Sequence, residues 1–217
     1  MRELNIANHQ FNYIKQQADH LLHAVRTVAD RQVLASTRSG AEANVLSLFP
    51  ELQGDERERL ILISRLERAE DFKHYLDDLE RYRTEFPPIS KGEILKLFPK
   101  SKKLAIPDLA RIDWKTLTYL SWLDVAANRT YIVYPLDGRF VGIEGRMTPA
   151  NKKSYCFACN GFEEIGLFTA VSKKKPANAS PDYYKALGQY LCLHGHDCNK
   201  NMTDTTSLEK FIRELIE

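Results

Sequence analysis

A chain of 217 residues, 43% hydrophobic and 28% charged, is long enough to bury a core and too evenly mixed to be fibrous or disordered. No apolar run reaches the ~20 residues of a membrane-spanning helix, and Met1-Arg2-Glu3-Leu4-Asn5 does not open an export signal, so a cytoplasmic protein without a membrane partner is expected. The net charge of +2 is uneven: residues 1–90 hold 12 basic against 15 acidic side chains and residues 91–217 hold 19 against 14, which suggests two modules, the second mildly suited to an acidic partner.

From His9 to about Thr37, Phe11, Ile14, Ala18, Leu21, Leu22, Val25, Val28 and Leu34 recur at helical spacing, with Asn8 placed to cap the start and Ser39-Gly40 to stop it. A second helix is predicted over Ala41–Leu48, ended by Phe49-Pro50. A third starts near Asp55 and runs through Leu60, Ile61, Ile63 and Leu66. Phe72, Tyr75, Leu76, Leu79 and Tyr82 mark a fourth that stops at Phe86-Pro87-Pro88. Amphipathic helices on short loops predict an antiparallel helical bundle over residues 1–88. His20 and His23 sit one turn apart but lack a third ligand at helical spacing, so they read as a solvated or interface pair.

Pro87-Pro88 blocks helix continuation and marks the boundary to a mixed α/β domain over residues 89–217, making the whole chain α+β. Ser90 with Glu93 forms a capping box for a short helix through Ile94, Leu95, Leu97 and Phe98. The run Lys100-Ser101-Lys102-Lys103 reads as a solvated loop, or alternatively as a contact for an acidic partner. Strands are predicted around Tyr119, Trp122 and Leu123, then Tyr131–Tyr134, with Asp137-Gly138 turning the chain into Phe140–Ile143. Trp114 and Trp122 read as core. Ile165–Val171 and Leu187–Leu191 form a further hairpin, joined by a loop from Lys173-Lys174-Lys175-Pro176 to Ser180-Pro181 that reads as mobile. Thr206 with Glu209 caps a last helix whose apolar face is Leu208, Phe211, Ile212 and Leu215; Phe211 reads as core or as partner-facing.

All four cysteines fall in the last third of the chain, as Cys156-Phe157-Ala158-Cys159 and then Cys192 and Cys198. Two thiolates two residues apart point at a common centre, and a second pair beside them completes a tetrahedral cage for zinc. A dithiol redox site would place its first cysteine at a helix start after a buried strand, whereas Lys152-Lys153-Ser154 before this pair and Asn160-Gly161 after it are turn residues. Disulfides would need an oxidising compartment. His194 and His196 lie between the second two cysteines, and His196 is the alternative fourth ligand. Knuckle, hairpin and ligand-bearing helix start make a four-cysteine treble-clef zinc finger over about 154–217, with a single closed, structural zinc and no open position for catalysis. No H-E-x-x-H, glycine-rich phosphate loop or nucleophile elbow is present, so no enzyme is expected. An RNA- or ribosome-binding zinc finger using the lysines within 100–103 and 173–175 remains the alternative, against which stand the near-neutral charge and the lack of basic-aromatic alternation.

Several stretches together resemble one family, the elongation factor G-binding proteins that include the FusB-type fusidic acid resistance proteins. They are His9–Lys15, Lys102–Pro107, Trp122–Tyr134 and, most specifically, Tyr155-Cys-Phe-Ala-Cys159, Tyr190-Leu-Cys192 and Asp197–Asp204. The resemblance implies a protein that binds elongation factor G and promotes its release from the ribosome, protecting it from fusidic acid without modifying the drug, and a monomer is expected. Family contact positions fall on Tyr155, Tyr190 and Phe211 here. A family lysine five residues before the third cysteine is Leu187 in this chain, with Lys185 two positions earlier as its substitute. The family's histidine directly before the last cysteine is Asp197 here, with His196 one place earlier.

Overall fold

The computed structural model describes residues 3–101, 103–173, 180 and 183–216. Lys102, Lys174 and Lys175, and most of the loop expected to join the last two strands, lie outside the described residues. The chain divides into two compact units, Met1–Thr84 and Glu85–Glu217.

The first unit is helical: α1 (Asn8–Thr27), α2 (Arg31–Ser47), α3 (Asp55–Ile61) and α4 (Ala69–Leu79), with 3₁₀ turns at Leu62–Arg65 and Glu80–Tyr82. The single helix expected from His9 to Thr37 is two. Asp30 accepts from Gln32 N at 2.7 Å and Val33 N at 3.3 Å, so a new helix starts there, and the apolar periodicity runs across the break. Gly40, expected as a stop, lies inside α2. Asn8 is the buried first residue of α1 and not its cap; it accepts from Arg83 Nη2 at 2.8 Å, while Gln10 takes the Ala7 N–H at 2.9 Å. Ile14, Leu21, Val45, Leu60, Ile63 and Leu79 are fully buried, each contributing roughly 1.5–3 kcal/mol of transfer free energy.

The second unit begins with α5 (Lys91–Leu97), where Ser90 and Glu93 make the expected reciprocal cap: Ser90 N to Glu93 Oε2 at 2.8 Å and Glu93 N to Ser90 Oγ at 3.2 Å. Among the described residues five strands follow, β1 (Leu120–Asp124), β2 (Arg129–Leu136), β3 (Arg139–Tyr155), β4 (Phe162–Val171) and β5 (Ala186–Cys192), then α6 (Gly195–Asn201) and α7 (Thr206–Ile216). The strands form one antiparallel sheet in sequence order. Asp137 and Gly138 take φ of 50° and 76°, the pair of left-handed residues that a two-residue hairpin turn with sheet-compatible twist requires.

Alternation along β2 sorts its side chains to two cores. Ile132, Tyr134 and Leu136 pack with Leu208, Phe211, Ile212 and Leu215 of α7, and Tyr131 and Val133 pack with Ile94 and Phe98 at α5. Trp114 and Trp122 join the second core as expected, Trp122 stacked on Tyr131 at 5.2 Å and Trp114 on Phe86 at 6.0 Å. Two local expectations fail. Lys152-Lys153-Ser154, read as a turn, continues β3 past a register shift between Pro149 and Lys153, because pairing with Glu163 and Glu164 of β4 overrides its polar composition. The α7 cap is Thr205 rather than Thr206: Glu209 N donates to Thr205 O at 2.9 Å, and Thr205 Oγ1 donates to Glu209 Oε1 at 3.1 Å.

Candidate metal centre and its exposed rim

The cage is assembled from three elements. β3 delivers the chain to Cys156, and the knuckle closes through Asn160 N to Cys156 O at 2.9 Å and Cys156 N to Gly161 O at 3.0 Å. Asn160 sits at φ 54°, which its short amide side chain tolerates, and a Cβ on Gly161 would lie 2.7 Å from Asn201 Nδ2, so a larger residue there would displace the Asn201 side chain of α6. Phe157 N donates to Tyr190 O at 2.8 Å, tying the knuckle to β5, which ends at Cys192. Cys198 lies inside α6, not at its first turn's edge, and its amide donates to His194 O at 3.3 Å.

All four thiols are buried, and their sulfurs lie within 4.8 Å of one another, with Cys156 Sγ to Cys198 Sγ at 3.8 Å and Cys159 Sγ to Cys192 Sγ at 3.6 Å. A tetrahedron with ~2.3 Å zinc–sulfur bonds has sulfur–sulfur edges of about 3.8 Å, so the donor set fits zinc. Hydrogen bonds from Cys159, then Cys192 and Cys198, hold the Cys156 thiol far below its ordinary range. The same bonding to Cys156 pushes Cys192 and Cys198 up. Cys156 and Cys159 are thus held low while Cys192 and Cys198 are held high, and a divalent cation among them would let all four ionise. Two amides steady the sulfurs: Gly161 N to Cys159 Sγ and Cys192 N to Cys156 Sγ, each at 3.4 Å. His194 and His196 are exposed and outside the cluster. Four sulfur ligands leave no site for water or substrate, which makes the zinc structural.

Asn199, next to Cys198, was not legible as a functional residue. It is 2% exposed; its Oδ1 accepts from Thr118 N at 2.6 Å and Tyr119 N at 3.0 Å, and its Nδ2 donates to Tyr119 O at 2.9 Å and Gly195 O at 2.9 Å. These bonds fasten the ligand-bearing helix to the segment entering β1.

Around the cage, the four expected partner residues separate. Tyr155 is 65% exposed and meets Phe162, itself 57% exposed, edge-on at 5.4 Å. Tyr190 is 47% exposed and pairs across the strands with Leu167, and Lys185 is exposed just before β5. Phe211 is 3% exposed, since it shares the apolar face of α7 with Leu208, Ile212 and Leu215, and its ring meets Phe157 and Phe168 at 6.2 Å each. Of its two sequence readings the core one describes its position. Leu187 packs partly into the same core. Phe162 and Leu167 escaped the sequence reading because their exposure depends on register in β4.

A helical unit followed by an antiparallel sheet that ends in a four-cysteine knuckle and ligand-bearing helix defines a treble-clef zinc-finger protein. Residues 5–87 match the family model described as elongation factor G-binding protein, N-terminal, and residues 96–214 match the model described as the FBP C-terminal treble-clef zinc-finger. The chain therefore belongs to the elongation factor G-binding protein family and carries one structural zinc ion. Among solved structures it is similar to the fusidic acid resistance protein FusC, with 30% sequence identity, a TM-score of 0.82 and 98% of each chain covered. No curated protein matches the chain. Among the described residues no helix is long and apolar enough to cross a membrane.

Proposed function

We propose that this protein binds elongation factor G as a monomer through the rim of its zinc finger and promotes release of that factor from the ribosome, protecting it from fusidic acid. The observation that carries the reading is the exposed aromatic rim on a rigid cage: Tyr155, Phe162 and Tyr190 stand in solvent on strands held by four zinc ligands. Exposed aromatic side chains fixed by the backbone beneath them are suited to anchor a protein interface at little entropic cost. The similarity to FusC supports the resistance role. Lys185 lies at the other end of β5 from Tyr190, where its carbonyl accepts from Ser172 N at 2.7 Å, and Phe211 supports the rim from below through Phe157.

Release needs no catalysis by this chain. A partner that binds the departing conformation of the factor more tightly than the ribosome-locked one shifts the population by that difference in affinity alone. The closed zinc contributes rigidity and no Lewis acid, and a ribosomal factor as partner places the activity in the cytoplasm. Isothermal titration of purified elongation factor G into the protein, paired with a ribosome-release assay containing fusidic acid, tests the reading. Micromolar or tighter binding together with faster release supports it. Binding without release confines the protein to sequestration, and absence of binding overturns it.

A further inference from the structure

On the sheet face that carries α5, a cleft of about 560 Å³ opens between the end of that helix and the far ends of β3 and β4. Leu97, Phe98, Gly142 and Val171 supply its apolar lining, and Thr169, Lys100, Arg129, Lys173 and Glu144 its polar one. Gly142 shapes its closed end: a Cβ there would lie 2.8 Å from Leu97 Cβ and from Phe98 Cζ, so α5 seats against β3 only over a glycine. Glu144 is already engaged, by Arg129 Nε at 3.5 Å and by Ser101 Oγ at 3.1 Å. Lys173 Nζ donates to Gly142 O at 3.2 Å, which holds its ammonium at the cleft while leaving donors for another acceptor. Three cations facing one committed carboxylate leave the cleft positive over an apolar floor.

We propose that this cleft is a second docking site for elongation factor G, taking an extended acidic segment whose carboxylates meet Lys100 and Lys173 and whose apolar side chains cover Leu97 and Val171. The inference rests on the proposed function. Val171, 59% exposed, lies four residues along β4 from Leu167 on the same face, a distance of about 13 Å, and Leu167 pairs with Tyr190 of the aromatic rim. Among the described residues, cleft and Tyr190 therefore lie at two ends of one strip of sheet, within the span of one interface of ordinary size. Pro99, Lys100, Val171 and Lys173 are all exposed, so the cleft is open along its length, which suits a passing chain better than an enclosed small molecule.

The test is titration of elongation factor G into the full-length, zinc-loaded protein and its Lys100→Glu and Lys173→Glu variants. Measurements at about 50 and about 200 mM salt separate screened from unscreened attraction. Each reversal should weaken binding by about tenfold at low salt, and both variants should lose less affinity than the wild type as salt rises. Lys100→Glu keeps the test independent of the Lys173–Gly142 hydrogen bond, and zinc content and melting temperature confirm that each variant is folded. Wild-type binding with both variants within about twofold of it would overturn the cleft as a docking site and leave the rim reading standing. No wild-type binding would overturn both.

Discussion

Replacing Asn199 by alanine should uncouple the ligand-bearing helix from the sheet without touching a cysteine. The side chain serves two buried amides, Thr118 N and Tyr119 N, and one buried carbonyl, Tyr119 O. Alanine removes that acceptor and donor and leaves the groups in a site too closed for bulk water, since Asn199 is 2% exposed. A buried polar group that loses its partner costs about 1–3 kcal/mol, so two amides together cost about 3 kcal/mol, allowing for partial relaxation. At ~1.4 kcal/mol per factor of ten, hydrogen exchange at the Tyr119 amide should accelerate by about a hundredfold. Exchange followed by NMR reads the local effect directly, and it distinguishes the second unit from the helical one, which a single melting curve would merge. Asn199→Asp keeps the acceptor and loses the donor, so it should fall between wild type and Asn199→Ala. Tyr119 exchange within about threefold of wild type in the alanine variant would refute the view that this side chain holds the segment.

Cys156→Ser or Cys192→Ser should abolish stoichiometric zinc and unfold the carboxy-terminal unit, checked by metal analysis and circular dichroism; a variant that stays ordered without metal would sink the structural role. Tyr190→Ala should weaken elongation factor G binding by about 1–2 kcal/mol with little change in melting temperature, because its ring is largely in solvent. Phe211→Ala should instead cost about 3–5 kcal/mol of stability, because it empties space between Phe157 and Phe168, and any loss of binding should follow the loss of fold. In the helical unit, burial pushes the Tyr75 hydroxyl well above its ordinary value of 10, and the hydroxyl donates to Leu60 O at 3.1 Å. Its stabilising effect is complete below pH 10, where both states hold the proton. Above that the unfolded chain ionises first, so stability should fall by roughly 1.4 kcal/mol per pH unit until the folded hydroxyl also titrates. Urea midpoints of the wild type and Tyr75→Phe compared at neutral and alkaline pH check this, and parallel curves would count against it.

Much of this molecule could be read locally. The capping box at Ser90 and Glu93, the turn at Asp137-Gly138 and the amphipathic stripe of α7 each rest on residues a few positions apart, where backbone preference and side-chain chemistry act directly. Where reading failed, longer-range pairing decided the outcome. Lys152-Lys153-Ser154 carries no strand signal of its own and is a strand because β4 lies beside it. The break at Asp30 was masked because apolar residues keep helical spacing on both sides of it.

The cysteine spacing made the zinc cage legible, because a C-x-x-C knuckle and a second pair offer four thiolates to a tetrahedral metal, while the fold decided that Cys198 and not His196 completes it. Tertiary structure alone decided which aromatic residues are exposed. Tyr155, Phe162 and Tyr190 face water while Phe211 and Phe168 do not, and the difference lies in sheet register and in which face of α7 meets the core. It also brought Lys100, Arg129 and Lys173 from three separate segments around one cleft, a proximity that no local pattern encodes because loop closure and strand pairing, not sequence distance, create it.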